Sequence, residues 1–341
     1  MLRSLRRLAP LLAAALLLGA AWAQSHEVNV YSARHYDSDE VLYDRFEELT
    51  GITVNIIEGD SDELLSRILS EGANSPADLF VTVDAGRLWR AEQEGVLQAV
   101  DSPILNAVLP DALRHPGGLW FGLTQRVRGI VYAPDRVQPG EVTTYEDLAG
   151  PAFEGRVCIR SSSNIYNQSM MASLIASVGP EAAEAWAEGI VANMARAPQG
   201  GDTDQIRAVA AGECDVAVVN HYYLARLMAS GDPADQEVAD AVEWLFPNQD
   251  GRGVHVNISG AGVVATAPNF ANAVRLLVYM TSPEAQELFA GSNNEYPAVE
   301  GAAPSQETAS FGEFVSDAVN VSLYGENNPE AVRIFDRAGW R

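Results

Sequence analysis

The chain contains no lysine: all 22 of its basic residues are arginine. That absence rules out Schiff-base chemistry, a P-loop lysine and a Ser-x-x-Lys nucleophile. Cysteine is scarce, with Cys158 and Cys214 alone among 341 residues, and neither stands where a lipoprotein anchor needs one. No His-Glu-x-x-His, no Gly-x-Ser-x-Gly and no paired acid/base signature occurs, so a non-enzyme is expected and a secreted metalloenzyme is kept only as a lesser alternative. Positive charge is itself in deficit: 46 acidic residues against 22 basic give a formal net charge of −24. Such a surface repels nucleic acid and anionic membrane, although adaptation to salt explains most of these carboxylates equally well. Internal repeats and low-complexity tracts are missing after the first 23 residues.

What is present reads as a folded α/β protein. The length suffices for two domains, each with its own core, and 47% hydrophobic with 20% charged residues fits a globular chain. The first 23 residues stand apart. Arg3, Arg6 and Arg7 precede a short apolar run and the small residues of "AWA", the pattern of an export leader cleaved after Ala23. The run is shorter than the ~20 apolar residues of a membrane span. A periplasmic protein is therefore expected, with a net charge of −27 once the leader's three arginines are taken from −24.

Beyond the leader, strand and helix patterns alternate. "EVNVYS", "ITVNIIEG" and "ADLFVTV" are β-rich, and "SDEVLYDRFEELTG", "DSDELLSRILSEG" and "DAGRLWRAEQEGVL" have helical periodicity, the first with Val41, Leu42, Phe46 and Leu49 on one side. Asp60 is read as a helix N-cap in preference to a ligand facing a cleft. This βαβαβα rhythm predicts a mostly parallel sheet covered by helices. The middle of the chain repeats it with "GRVCIRS", helices over 168–178 and 181–193, "TDQIRAVAAGE" and "CDVAVVN". Two long β-rich segments, "LWFGLTQRVRGIVYAP" and "GRGVHVNISGAGVVAT", supply what a two-lobed protein needs where the backbone crosses between lobes and returns; two ordinary strands within one lobe is the other reading.

Seven stretches carry a resemblance: "YSARHYDSD", "PADLFVTVDAG", "CIRSSSNIYNQS", "PQGGD", "GECDVAVVNHYY", "GVHVNISGAGV" and "NNEYPAV". Together, and in this order over nearly the whole chain after the leader, they resemble the periplasmic ferric-iron-binding proteins of ABC transporters. The resemblance implies the two-lobed type II periplasmic-binding-protein fold, each lobe a mixed, mostly parallel sheet flanked by helices and joined to the other by hinge strands. The expected layout is a first lobe over 24–125, a second over 126–252, a return to the first over 253–300, and C-terminal helices over 301–341 packing on the second. It further implies a monomer that delivers Fe3+ to an inner-membrane ABC permease with its ATPase, without membrane insertion or nucleic acid.

The residues support a metal shell in their own right. His35 and Tyr36 in "RHY", Tyr166 in "NIYNQ", and the adjacent Tyr222 and Tyr223 offer four phenols and an imidazole, and hard anionic oxygen donors suit ferric iron. A free phenol titrates near ~10, so the metal must displace its proton and binding depends on pH. Four phenolates and a neutral imidazole around Fe3+ leave one negative charge, which calls for a cation. Arg226, three and four residues beyond the tyrosine pair, lies on their face of a helix; Arg34, Arg126 and Arg160 are alternatives. Asn220, Ser161, Ser162 and Asn167 are candidate hydrogen-bond partners of the phenols or of a bound anion. Whether carbonate, citrate or water completes the shell stays open.

Cys158 precedes Tyr166 by eight residues, and Cys214 precedes Tyr222 by the same eight. Each cysteine is read into a strand and each tyrosine follows where that strand ends, the place where open α/β sheets bind ligands. If the strands are neighbours, a Cys158–Cys214 disulfide ties them together; two separately buried thiols is the alternative. His255 is expected to be structural, and His26, His115 and His221 have no evident partner. The rival functional reading is a binding protein of the same architecture for a small anion held by arginines.

Overall fold

The computed structural model describes residues 26–34 and 36–341; the leader expected at 1–23 and the candidate ligand His35 lie outside them. The chain opens with β1 (Glu27–Ser32), β2 (Thr53–Glu58) and β3 (Leu79–Val83), separated by the helices Asp37–Thr50 and Ser61–Glu71. Both β2 and β3 pair parallel with β1, because a helix between strands returns the chain to the sheet's starting edge. Helix Asp37–Thr50 turns a face different from the expected one toward the sheet. Leu42, Tyr43 and Phe46 are buried while Val41 and Leu49 are exposed, since positions 39, 42, 43 and 46 share one side at helical spacing. The helix stops at Gly51, whose φ of 68° lets its N–H cap the Glu47 carbonyl, a left-handed turn suited to glycine. Asp60 does occupy the N-cap position of the next helix, but its side chain makes no capping hydrogen bond.

The remaining strands are β4 (Leu97–Gln98), β5 (Phe121–Tyr132), β6 (Val157–Cys158), β7 (Val216–Asn220), β8 (Glu243–Leu245), β9 (Val256–Val264) and β10 (Tyr296–Pro297). The path runs β2-β1-β3-β9-β5-β7-β6, with β4 on β9 and both β8 and β10 on β5. One strand belongs to two sheets. From Phe121 to Val127, β5 pairs antiparallel with β9; from Arg128 to Tyr132 it pairs antiparallel with β7. The Arg128 N–H donates to the His255 carbonyl at 3.0 Å, so the outgoing strand and the returning chain touch where the two sheets meet. Among the strands, parallel pairing joins β1 with β2 and β3 and β6 with β7, and two isolated parallel bridges add Val157–Met194 and Val254–Ser316. The strands that cross between lobes run out and back, and an out-and-back pair is necessarily antiparallel; this is why the sheet is mixed.

The C-terminal helices pack on helices from distant parts of the chain. Helix Ser322–Glu326 lies against both Ala85–Gln93 and Ile165–Val178, and Asn328–Ala338 lies against Ile165–Val178 and Pro180–Asn193. Gly325 permits this approach: a Cβ there would lie 2.0 Å from Cγ of Trp89. Among the described residues no helix is long and apolar enough to cross a membrane.

Candidate metal centre

Each of the four tyrosines stands at the start of a helix. Tyr36 is the N-cap residue of Asp37–Thr50, Tyr166 lies in the first turn of Ile165–Val178, and Tyr222 and Tyr223 lie in the first turn of His221–Ala229. The local sequence explains the last pair. All five residues of β7 are buried, and the helix begins at the residue after Asn220 with no intervening loop. Tyr166 follows Asn164, whose side chain accepts the Tyr166 N–H at 3.1 Å, a capping turn that starts the helix three residues before the expected 168. Helix starts carry unpaired N–H groups and partial positive charge, which favour a phenolate over a phenol.

Arg128 on the crossing strand fixes these starts. It donates to Asn220 Oδ1 at 3.0 Å, to Asp202 Oδ2 at 3.2 Å and to Asn167 Oδ1 at 2.7 Å, joining three helix N-termini of the second lobe through one buried guanidinium. The disulfide adds a covalent tie. Cys158 and Cys214 are bonded, with Cα atoms 5.9 Å apart. Cys214 precedes β7 instead of lying within it, so the bridge joins the approach to β7 with the end of β6.

Two arginines draw the phenols together. The Arg226 guanidinium lies 4.9 Å from the Tyr222 ring centroid, 5.8 Å from Tyr223 and 5.0 Å from Tyr36, so it spans both lobes. Its Nη2 is buried and meets no hydrogen-bond partner among the described residues. Arg126 makes the more direct contact: Nη2 donates to the Tyr222 hydroxyl and, at 3.3 Å, to that of Tyr166. The Tyr222 hydroxyl also accepts from Asn220 Nδ2 at 3.0 Å, and the rings of Tyr222 and Tyr223 stand 4.5 Å apart. Arg34 lies 4.8 Å from the Tyr36 ring but points its N–H groups at Asp39 (2.9 Å) and Glu295 (3.0 Å). Arg160 is 5.5 Å from the Tyr166 ring.

Burial sets the protonation of the pair. Desolvation pushes the Tyr222 phenol well above its usual range, against the pull of Arg126, and Tyr166, Tyr223 and Tyr36 add to the rise. Tyr223 is raised as well, by burial first and Tyr166 second. Without a cation the pair is neutral, and an ion that binds here must strip its protons. Among the described residues no group of three or more His, Cys, Asp or Glu side chains is placed to hold a metal ion.

Several residues escaped sequence reasoning. Glu295 is fully buried between Arg34 and Arg126, and these two guanidiniums hold its carboxyl at about 2 against the desolvation that would raise it. Asp84 accepts from Ser169 Oγ at 2.6 Å across the lobes and from Asn257 Nδ2 at 2.8 Å. His221 is buried with its Nδ1 on the Val127 backbone. No local spacing announces any of these, since each partner is far away in sequence. Ser161 and Ser163 bond each other, and Asn167 holds the carbonyls of Arg160 and Ser161; among the described residues no hydrogen bond joins any of them to a phenol.

Comparison with known proteins agrees with this architecture. Over 318 residues, covering 93% of this chain and 88% of the relative, the sequence is 52% identical to Iron uptake protein A1 of Synechocystis sp.. The structure of IdiA (FutA) from Trichodesmium, in complex with iron and citrate, superposes with a TM-score of 0.91 at 55% identity, covering 92% of this chain and 100% of that one. The ferric binding protein from Campylobacter jejuni gives 0.85 at 41% identity, covering 92% and 100%. The model of the family described as bacterial extracellular solute-binding protein matches residues 42–314, and the chain belongs to that family.

Proposed function

We propose that this protein captures Fe3+ in the cleft between its lobes and delivers it to an inner-membrane ABC permease with its ATPase. The observation that carries the reading is the gathering of four phenols, one from the first lobe and three from the second, around two guanidiniums. Tyr36, Tyr166, Tyr222 and Tyr223 supply phenolates, and His35 supplies an imidazole. Phenolate oxygen favours a hard trivalent cation, and Arg126 and Arg226 offset the negative charge that such a shell leaves. The buried, unpartnered N–H of Arg226 supports this, because a phenolate is the acceptor it lacks. The first lobe is 24–125 with 253–300 and the second is 126–252; only their closure completes the shell, so iron favours the closed state. The protein acts as an exported periplasmic monomer freed of its leader after Ala23, and it binds its cargo without transforming it. Names of the relatives that refer to iron uptake and ferric binding support the same cargo.

Titration with ferric nitrilotriacetate tests the reading. A phenolate-to-iron charge-transfer colour is expected in the unaltered protein and weakened in Tyr222→Phe and Tyr223→Phe. A colourless protein, or unchanged colour and affinity in both variants, refutes it.

A further inference from the structure

We propose that Glu295 is a positioning residue that joins the two halves of the iron shell through one buried carboxylate. The proposal rests on the ferric reading above and assigns a role to a residue outside the shell.

Glu295 Oε2 accepts from Arg34 Nη1 at 3.0 Å, and Oε1 lies 3.5 Å from Arg126 Nη1. Thr124 and Ser259 donate to the same carboxylate, the latter at 3.1 Å. Side-chain exposure is nil for Glu295 and Arg34 and 3% for Arg126. Each arginine then turns toward a different lobe's phenol. Arg34 stacks 4.8 Å from Tyr36 and is held on its other side by Asp39 at 2.9 Å. Arg126 presents Nη2 to Tyr222 and Tyr166 while its Nη1 is held by Ser259 at 3.2 Å. One carboxylate is therefore two contacts from a first-lobe phenol and two contacts from second-lobe phenols.

The charges explain why a carboxylate must stand there. Arg34, Arg126, Asp39 and Glu295 form a buried set of two cations and two anions. Without the Glu295 charge, Arg34 keeps its ion pair with Asp39, whereas Arg126 has no carboxylate in ion-pair contact among the described residues and only the more distant field of buried Asp84. Arg126 would then lose its charged anchor, and its hydrogen bonds to the phenols would loosen. A hydrogen bond to a phenolate lowers the energy of the electron that the phenolate donates to iron. Losing it moves the charge-transfer band to longer wavelength.

The test compares the unaltered protein, Glu295→Gln and Glu295→Asp, each titrated with ferric nitrilotriacetate after circular dichroism has confirmed folding. Removal of a contact outside a metal shell typically lowers affinity about 10- to 100-fold, and Glu295→Gln should fall in that range with its absorption maximum shifted to longer wavelength. Glu295→Asp keeps the charge but is shorter by one methylene and cannot reach both guanidiniums, so it should show a smaller loss and a smaller shift. A purely structural Glu295 would lower the melting temperature and leave band and affinity unmoved. That outcome in Glu295→Gln, or in Glu295→Asp should the first not fold, overturns the proposal. Absence of colour in the unaltered protein would instead overturn the ferric reading itself.

Discussion

The two lobes hold their phenols in different ways. On the second lobe, Tyr166, Tyr222 and Tyr223 rest on helix starts that one arginine, Arg128, binds to a crossing strand, above a disulfide that joins the two strand regions beneath. On the first lobe, Tyr36 occupies the N-cap position of a helix after β1 without a side-chain capping bond, and nearby Arg34 is tied to its own lobe by Asp39 and Glu295. Three of the four phenols thus belong to a single lobe and the fourth to the other. If these phenols are the proposed iron ligands, the three-phenol side would bind first and Tyr36, with His35, would complete the shell on closure, so loss of a second-lobe phenol should damage capture and loss of Tyr36 should damage closure.

The largest break in this comparison is expected from Tyr222→Phe. The hydroxyl it removes is the shared acceptor of Arg126 and Asn220, and the loss in Fe3+ affinity should exceed the roughly 10- to 100-fold typical of contacts outside a metal shell. A competition titration against citrate measures it. Next comes Tyr36→Phe, which should retain colour from the second lobe, lose affinity by a smaller factor, and show no compaction in small-angle scattering when iron is added. Compaction equal to that of the unaltered protein would show that closure does not depend on the first-lobe phenol.

Stability should separate the lobes too. Replacing Cys158 and Cys214 by serine opens a link between residues 56 apart, worth up to about 4 kcal/mol on the loop-entropy scale. The urea midpoint should fall, while iron still colours the protein if Arg128 alone suffices to align the helix starts. A smaller effect per residue falls on the crossing region common to both lobes. Burial holds His221 at about 4 and His255 at about 3, each against an ordinary 6.5. Below pH 6.5 the unfolded chain takes up protons that the folded chain refuses until those lower values, so stability falls as pH falls. By pH 5 each histidine should cost roughly 2 kcal/mol, which chemical denaturation at pH 7 and pH 5 can measure.

Much of this comparison was legible in the sequence, and what was legible is local. The βαβαβ opening and the tyrosines after strand-like runs follow from periodicity, which also showed the two long β-rich segments but left their crossing between lobes to the family resemblance. Spacing also placed Arg226 on the face of Tyr222 and Tyr223. What could not be read depends on distant partners. Arg126 meets Tyr222 across 96 residues, and Arg34 meets Glu295 across 261; no window of sequence contains either pair. The face of helix Asp37–Thr50 was misread for a related reason. Val41 and Leu49 are apolar but exposed, and Tyr43, absent from the expected apolar side, is buried. Cys214 was read into β7 because its neighbours are apolar, whereas pairing with β6 starts only at Val216.

The complete absence of lysine has a consequence for how such a cleft would work. In the proposed shell every phenol that becomes a ligand sheds a proton, so one Fe3+ enters as four H+ leave. The cleft is then an ion exchanger with a fixed stoichiometry, and its contents become one unit more negative on loading. The fixed cations around it are all arginines, which do not deprotonate in proteins, so they cannot serve as the local source or sink for those protons. The exchange must be settled with the surrounding water. In that shell, unloading would take four protons back from the surrounding water, so release would be easier as the medium becomes more acidic.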